Sequence, residues 1–591
     1  MKQIKRLLAI FKPYWGWFAF SQLMVLGTVF ATLLLPTING HLINNGVLAK
    51  NMQVIIFYAG WMLLAAFLGV VFDIVSTVIG VRFSEQTAHY LRKRIFDKVQ
   101  TMSFGNIDRF RPSDLLVRLT SDVQNVKMAV LQTITTLFQA PFMLLAALVL
   151  VATQAPSLFW IMLVMLVVIG VLLAVYVKVV APAFISRQKK LDRVNQVLRE
   201  GLTGVRVVKA FVRQPFENRR FDTAAKDLRK ASIIPQLTLS WLIPTVLFAL
   251  FLGIDGILYF GGTKIFSGSG LQMGQVLAAA QYFIACIGPL VMLAVALPMI
   301  TAASASTERI FRVLDDIADV QDRPDACSLD PQTLRGRIAF ENVSFGYLGS
   351  DGKPSSTVLE GINLLVEPGQ TIGFLGTTGS GKSSLVNLIP RFYDVTAGRI
   401  TLDGVDLRDI PQDDLRKLVG ICLQETNLFS GTIADNIKFG RPEATDDEIL
   451  TYARAADASG FVEAIPEQYD GRVARRGANF SGGQRQRLSI ARALTLKPKV
   501  LILDDSTSAC DVSTEARIQD AIKDQMRGVT QLLVAQRIST VITADKIVLL
   551  EHGRMVAEGN HEQLLASSPL YREIYDSQLG QGMLASQGEA A

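Results

Sequence analysis

Six long apolar runs constrain this chain more than any other feature. A hydrocarbon core about 30 Å thick takes about 20 helical residues to cross. Six stretches meet that length, at roughly Trp15–Leu35, Val54–Gly80, Met128–Val151, Leu158–Val180, Leu237–Phe260 and Val276–Ala303. The chain therefore starts as an all-α membrane domain of six spans. Half of its 591 residues are apolar and only 19% are charged, against about a quarter charged in soluble proteins. Its length leaves room for at least one further domain.

The connections between spans alternate in character. Those around His41–Met52, Thr153–Pro156 and Gly261–Gln272 are short, with Lys50 and Lys264 as their basic residues. Those around Arg82–Lys127 and Lys190–Lys230 are long, helical in pattern and rich in Lys and Arg. Basic loops stay on the cytoplasmic side, which places both long loops and both chain ends there, in a multi-pass protein of the cell (inner) membrane. The net charge of +7 follows from this topology, so lipid rather than nucleic acid is the expected partner. Tips of the long loops are expected at Arg111–Leu115 and Gly201–Arg206. Met1–Pro13 reads as an interfacial helix rather than a cleaved leader. Asp73 and Asp255 fall inside apolar spans, where a carboxylate is either functional or a satisfied residue near the membrane edge. Cys286, Cys327, Cys422 and Cys510 show no paired spacing, so neither a disulfide framework nor a zinc site is expected.

After Glu308 the pattern changes. A linker with Pro324 and Pro331 leads into the alternating run Arg337–Phe345, and short β-branched runs then alternate with helical segments to about Leu579. That is an α/β domain with a largely parallel sheet. The expected division is a membrane domain over 1–320, a nucleotide-binding domain over 337–579 and a flexible tail over 580–591. The strongest motif is Gly376-Thr-Thr-Gly-Ser-Gly381-Lys382-Ser383, between the strand-like Thr371–Leu375 and the helix-like Ser384–Ile389. This is the setting of a phosphate-binding loop, whose glycines let backbone N–H groups converge on phosphate oxygens. Lys382 would reach the terminal phosphates and Ser383 would ligate Mg²⁺. Val500–Leu503 leads into Asp504, a buried strand ending in a metal-holding carboxylate. Phe480-Ser481-Gly482-Gly483-Gln484 precedes a helix and reads either as an anion site or as a helix cap.

Together these residues resemble the ATP-binding cassette (ABC) family over nearly the whole chain, and the domain reads as an α/β P-loop ATP-binding cassette. Ser481–Gln484 is similar to the ABC signature, and Gln424, ending Val419-Gly-Ile-Cys-Leu-Gln, to the Q-loop. Tyr347 matches the aromatic that stacks on adenine, and Ser508-Ala-Cys-Asp511 the D-loop. Six spans ahead of the cassette look like the type IV half-exporters related to multidrug pumps. The resemblance implies ATP and Mg²⁺. ATP would be held by Tyr347, by Gly376, Thr377, Thr378, Gly379, Ser380, Gly381, Lys382, Ser383 and Ser384, and by Gln424. Across a dimer, Ser481, Gly482, Gly483, Gln484 and Asp511 would complete a site. Mg²⁺ would rest on Ser383, Gln424 and Asp504.

Two departures bear on hydrolysis. Family members that hydrolyse ATP well usually have Glu after the metal-binding Asp, and here it is Asp505. A carboxylate misplaced by about 1 Å can cost on the order of 100-fold. They also have a His where this chain has Gln536, which donates a hydrogen bond but cannot become a cation. The pairing resembles the degenerate-site subunit of heterodimeric bacterial exporters, so the expected partner is a homologous half-transporter and the cargo hydrophobic or amphipathic, multidrug or lipid-like. A homodimer with slow sites and an ATP-binding regulatory membrane protein remain open alternatives.

Overall fold

The computed structural model describes residues 6, 15–268, 270–330, 332–349 and 356–580. Apart from Arg6 and Gly580, the expected interfacial helix and the expected tail lie outside the described residues. The chain forms two compact units, Met1–Gln100 with Pro112–Asp316 and Thr101–Arg111 with Ile317–Ala591.

In the first unit the six apolar runs lie in six helical segments long and apolar enough to cross a membrane: Trp15–Val47, Met52–Gln100, Pro112–Gln154, Pro156–Thr203, Gln214–Phe266 and Met273–Leu314. The second has 49 residues and the fifth 53, far more than the ~20 that a bilayer needs. They run unbroken from apolar into charged sequence, as the helical pattern of the long loops implies. Trp61, Leu63, Phe67 and Val70 stay exposed on the second helix, the face that hydrocarbon would cover. Inside, Val29, Leu33, Met143, Ala147, Ile257 and Phe283 share one apolar cluster. Asp73 and Asp255 are both exposed on this unit.

Polar ties join the first and sixth segments. The Asn44 side chain accepts from Gly274 N–H and donates to Gln272 Oε1, both at 2.8 Å. These backbones touch because Gly274 has no side chain: a Cβ there would lie 2.1 Å from the carbonyl oxygen of Gly40. Toward the charged ends, Arg309 grips Asp122 with two nitrogens, at 2.9 and 2.5 Å. Asp122 is only 1% exposed, and such a buried carboxylate is tolerable only when paired.

The first loop tip differs from its expected place. The turn is the short helix Phe104–Phe110, ahead of Arg111–Leu115, and it belongs to the second unit. Phe104 stacks on Phe392 with ring centroids 4.0 Å apart, the Tyr393 hydroxyl donates to Asp108 at 2.7 Å, and Arg109 pairs with Asp319 at 2.7 Å. The Arg-Pro pair that drew the turn to Arg111 instead ends this helix, with Arg111 in the left-handed region at φ 49°. In the second loop a helix over Val205–Ala210 follows Gly204, with Leu202, Val207 and Phe211 exposed.

The second unit holds a six-stranded sheet in the order Arg554–Gly559, Lys546–Glu551, Thr371–Leu375, Thr530–Val534, Val500–Asp504, Val419–Cys422. Arg554–Gly559 pairs antiparallel and the other five strands run parallel. A four-stranded antiparallel sheet contains Leu359–Val366, Ile338–Phe345, Ala397–Leu402 and Val405–Asp406. Alternate residues of the buried strands feed opposite cores. Leu501, Leu503, Leu533 and Leu549 go to one, and Val500, Ile502, Leu532 and Val548 to the other.

Replacing Gly274 with Val should cost about 1–3 kcal/mol, because the obstacle is backbone and cannot rotate away. A lowered thermal unfolding temperature of the detergent-solubilised chain would register it, and an unchanged one would contradict the close helix approach.

Candidate functional site

The carboxyl ends of parallel strands leave a crevice, and the helix that follows one of them points its N-terminus into it. Thr371–Leu375 delivers the glycine-rich loop there, and Gly381, at φ 99°, lets the chain turn sharply into the helix Lys382–Asn387. Val500–Asp504 delivers Asp504 and then Asp505, Thr530–Val534 leads to Gln536, and Val419–Cys422 leads to Gln424. The result is a cavity of about 290 Å³ lined by Thr378 to Ser384, Gln424, Asp504, Asp505 and Gln536, with Val358, Val534 and Ala535.

Charges inside the cavity are partnered by the protein itself. The Lys382 ammonium donates to the carbonyl oxygens of Gly376 and Thr377 at 2.7 and 2.9 Å. Burial lowers its pKa, while Asp504 and Asp505 pull it back up. The Ser383 hydroxyl donates to Asp504 Oδ1 at 3.0 Å. Burial raises the pKa of Asp504, which is 3% exposed, and the neighbouring Asp505 charge adds to the rise. Burial also raises that of Asp505, against the attraction of Lys382. Asp505 Oδ2 accepts from both Gln536 Nε2, at 3.2 Å, and Gln424 Nε2, at 3.4 Å. Its backbone sits at φ 48° while its N–H donates to Val534 O at 2.9 Å.

The adjacent hydroxyl and carboxylate of Ser383 and Asp504 are the hard oxygen donors that Mg²⁺ accepts while leaving most of its shell to phosphate and water. Among the described residues no three His, Cys, Asp or Glu side chains cluster as a metal cage. Tyr347 borders the loop: its hydroxyl lies 2.8 Å from that of Ser384, and its ring meets Tyr393 edge-on with centroids 5.2 Å apart.

Other expected residues lie elsewhere. Gly376 and Thr377 contribute only the carbonyls that hold Lys382, outside the cavity lining. Ser481, Gly482, Gly483 and Gln484 do not line it either. Ser481 caps the helix Gly482–Thr495, accepting from Gln484 N–H at 3.3 Å. Asp511 likewise caps Val512–Gln525, accepting from Thr514 N–H at 3.1 Å. No histidine enters the cavity lining, and His561 is engaged with the Tyr571 hydroxyl at 2.8 Å. Sequence reasoning missed Gln578. Its Oε1 accepts from Ile538 N–H at 2.8 Å and its Nε2 donates to Gln536 O at 3.0 Å, bracketing the loop that carries Gln536.

Membrane-spanning helices joined to a P-loop α/β domain define a transporter driven by ATP. Comparison with known proteins agrees. A sequence profile of the ABC transporter transmembrane region matches residues 18–290, and an ABC transporter profile matches residues 359–508. An uncharacterized ABC transporter ATP-binding protein of Bacillus subtilis (strain 168) is 34% identical over 577 residues, 98% of this chain and 99% of its own length. A fatty acid ABC transporter ATP-binding/permease protein of Mycobacterium bovis is 34% identical over 492 residues, 83% of this chain and 76% of its own length. The structure of a bacterial Atm1-family ABC exporter with ATP bound matches with a TM-score of 0.76 and 25% identity, covering 94% of this chain and 97% of that one. The chain belongs to the ABC transporter family. It is a multi-pass membrane protein with a cytoplasmic nucleotide-binding domain, a pairing that implies ATPase activity coupled to transport.

The buried carboxylates set a pH dependence. A raised folded-state pKa means that the folded form holds protons more tightly than the unfolded one, so the contribution of these two groups to stability rises as pH falls through that raised value. Without nucleotide their share of the protein's stability should therefore increase on acidification through that range. Asp504→Asn should raise its unfolding temperature at neutral pH, flatten that pH profile and remove the extra stabilisation given by Mg²⁺ with ATP. Thermal unfolding across pH, with and without Mg²⁺ and ATP, checks all three.

Proposed function

We propose that this chain is one subunit of a heterodimeric exporter of amphipathic, lipid-like compounds, and that its own site binds ATP but turns it over slowly. The observation that carries this reading is the surroundings of Asp505. Its short carboxylate is engaged by two neutral amides, Gln424 and Gln536, while Lys382, Ser383 and Asp504 keep the arrangement suited to binding. In this reading Lys382 meets the terminal phosphates, Tyr347 meets the base, and Ser383 with Asp504 and Gln424 holds Mg²⁺. The metal, once bound, supplies positive charge to the phosphates. Asp505 and Gln536 occupy the places of the general base and the charged switch, and Gln536 can orient a phosphate oxygen without carrying positive charge.

Ser481–Gln484 and Asp511, which stand outside this chain's own cavity, fit a role at a nucleotide held mainly by the partner. The helix N-terminus at Ser481 offers N–H groups and a favourable field for a phosphate from the facing subunit. An amphipathic cargo is supported by the mainly apolar spans and by the likeness to the fatty acid transporter named above.

Alone, the purified chain should hydrolyse ATP slowly, and mixing it with a homologous half-exporter that supplies Glu and His should restore rapid turnover. The double substitution Asp505→Glu with Gln536→His should raise turnover by the isolated chain on the order of 10–100-fold. Vigorous hydrolysis by the unaltered chain alone would refute the unequal-site reading in favour of a homodimer.

A further inference from the structure

The membrane unit contains a cavity of about 360 Å³ bounded by the first, second, third and sixth helical segments. Phe18, Phe83, Val126, Val130, Phe138 and Ile300 contribute to its almost wholly apolar wall. The rings of Phe18 and Phe138 meet edge-on with centroids 5.7 Å apart. Thr133 and Ile134 also face it, and they open a π-helical turn, Thr133–Leu137, that interrupts the third segment. Such turns often mark functional sites inside otherwise regular helices. The cavity lies where apolar sequence gives way to charge, since Arg82 follows the second apolar run and Lys127 precedes the third. That depth is the boundary between acyl chains and headgroups on the cytoplasmic side.

Phe83 is a shared wall. Its other side lines a second recess of about 230 Å³ with Trp17, Ile79, Arg82 and Gln86. Nearby acidic groups are already taken, with Glu85 on Lys127 at 2.7 Å and Asp122 on Arg309 at 2.5 Å. Arg82 is exposed and has no ion pair or hydrogen-bond partner among the described residues. An apolar slot thus adjoins an uncommitted guanidinium, whose planar fork matches a carboxylate.

We propose that these two recesses form a binding site for a long-chain carboxylate, with its acyl chain in the apolar cavity and its head on Arg82. The site deepens the proposed export of lipid-like compounds, and rests on that reading for its role as a cargo site.

Binding can be followed with the full-length chain in nanodiscs, through quenching of tryptophan emission by dibrominated stearate and by its uncharged methyl ester. Saturable quenching is expected, with the acid bound about tenfold more tightly than the ester, the scale of one charge-assisted contact. Arg82→Ala should erase that preference and Arg82→Lys should restore much of it. Ala129→Phe, which fills the cavity, should weaken both ligands. Equal affinity for acid and ester in the unaltered protein, or unchanged binding in the Ala129→Phe and Arg82→Ala variants, would overturn the site. ATP-driven stearate flux, measured in vesicles with the partner present, separates the two readings. Flux with no effect of these variants on binding overturns the site alone, and binding as expected without flux overturns the exporter reading alone.

Discussion

A bilayer interior offers a peptide group nothing to bond with, so every N–H and C=O that crosses it must be satisfied within its own segment. The organisation of the membrane unit follows from that requirement. Segments remain helical from end to end, and polar side chains are spent on contacts between helices, such as Asn44 at Gly274 and Arg309 at Asp122. Because helices do not need to stop where the apolar sequence stops, four of the six segments exceed 42 residues by a single continuous or nearly continuous helical path. Their charged ends form the long cytoplasmic loops.

The nucleotide cavity meets the opposite problem, because it must keep charges out of water while leaving them available. Here each charge has a protein partner that a phosphate, a metal ion or a water molecule could replace. Carbonyl oxygens hold Lys382, a hydroxyl holds Asp504 and two amides hold Asp505. These bonds are individually modest and can be exchanged. Burial disfavours both negative charges and raises the pKa of each carboxylate, so an arriving cation would relieve that cost.

Much of this was legible in the sequence because local pattern and global fold agree. The spans, the alternating strand Ile338–Phe345 and the glycine-rich loop before Lys382 each carry their own signal. What escaped depends on contacts between distant segments. Phe104–Phe110 reads as a continuation of a charged helix, and only its contacts with Phe392, Tyr393 and Asp319 assign it to the second unit. The apolar cavity arises from four segments converging around a π-turn, whose threonines resemble those of any span. Asp505 and Gln536 were visible as departures from a family pattern, but their shared hydrogen-bonded oxygen was not.

Gln578 left no signal at all, since a glutamine near the end of a helical run has no distinctive neighbours. Yet it bonds to the backbone on both sides of Arg537, reaching Gln536 across 42 positions of sequence. Proteolysis or a fusion that disturbs the turn Asp576–Gly580 would therefore be felt at the loop carrying Gln536, and an alteration made for handling the protein could pass for a defect in its chemistry.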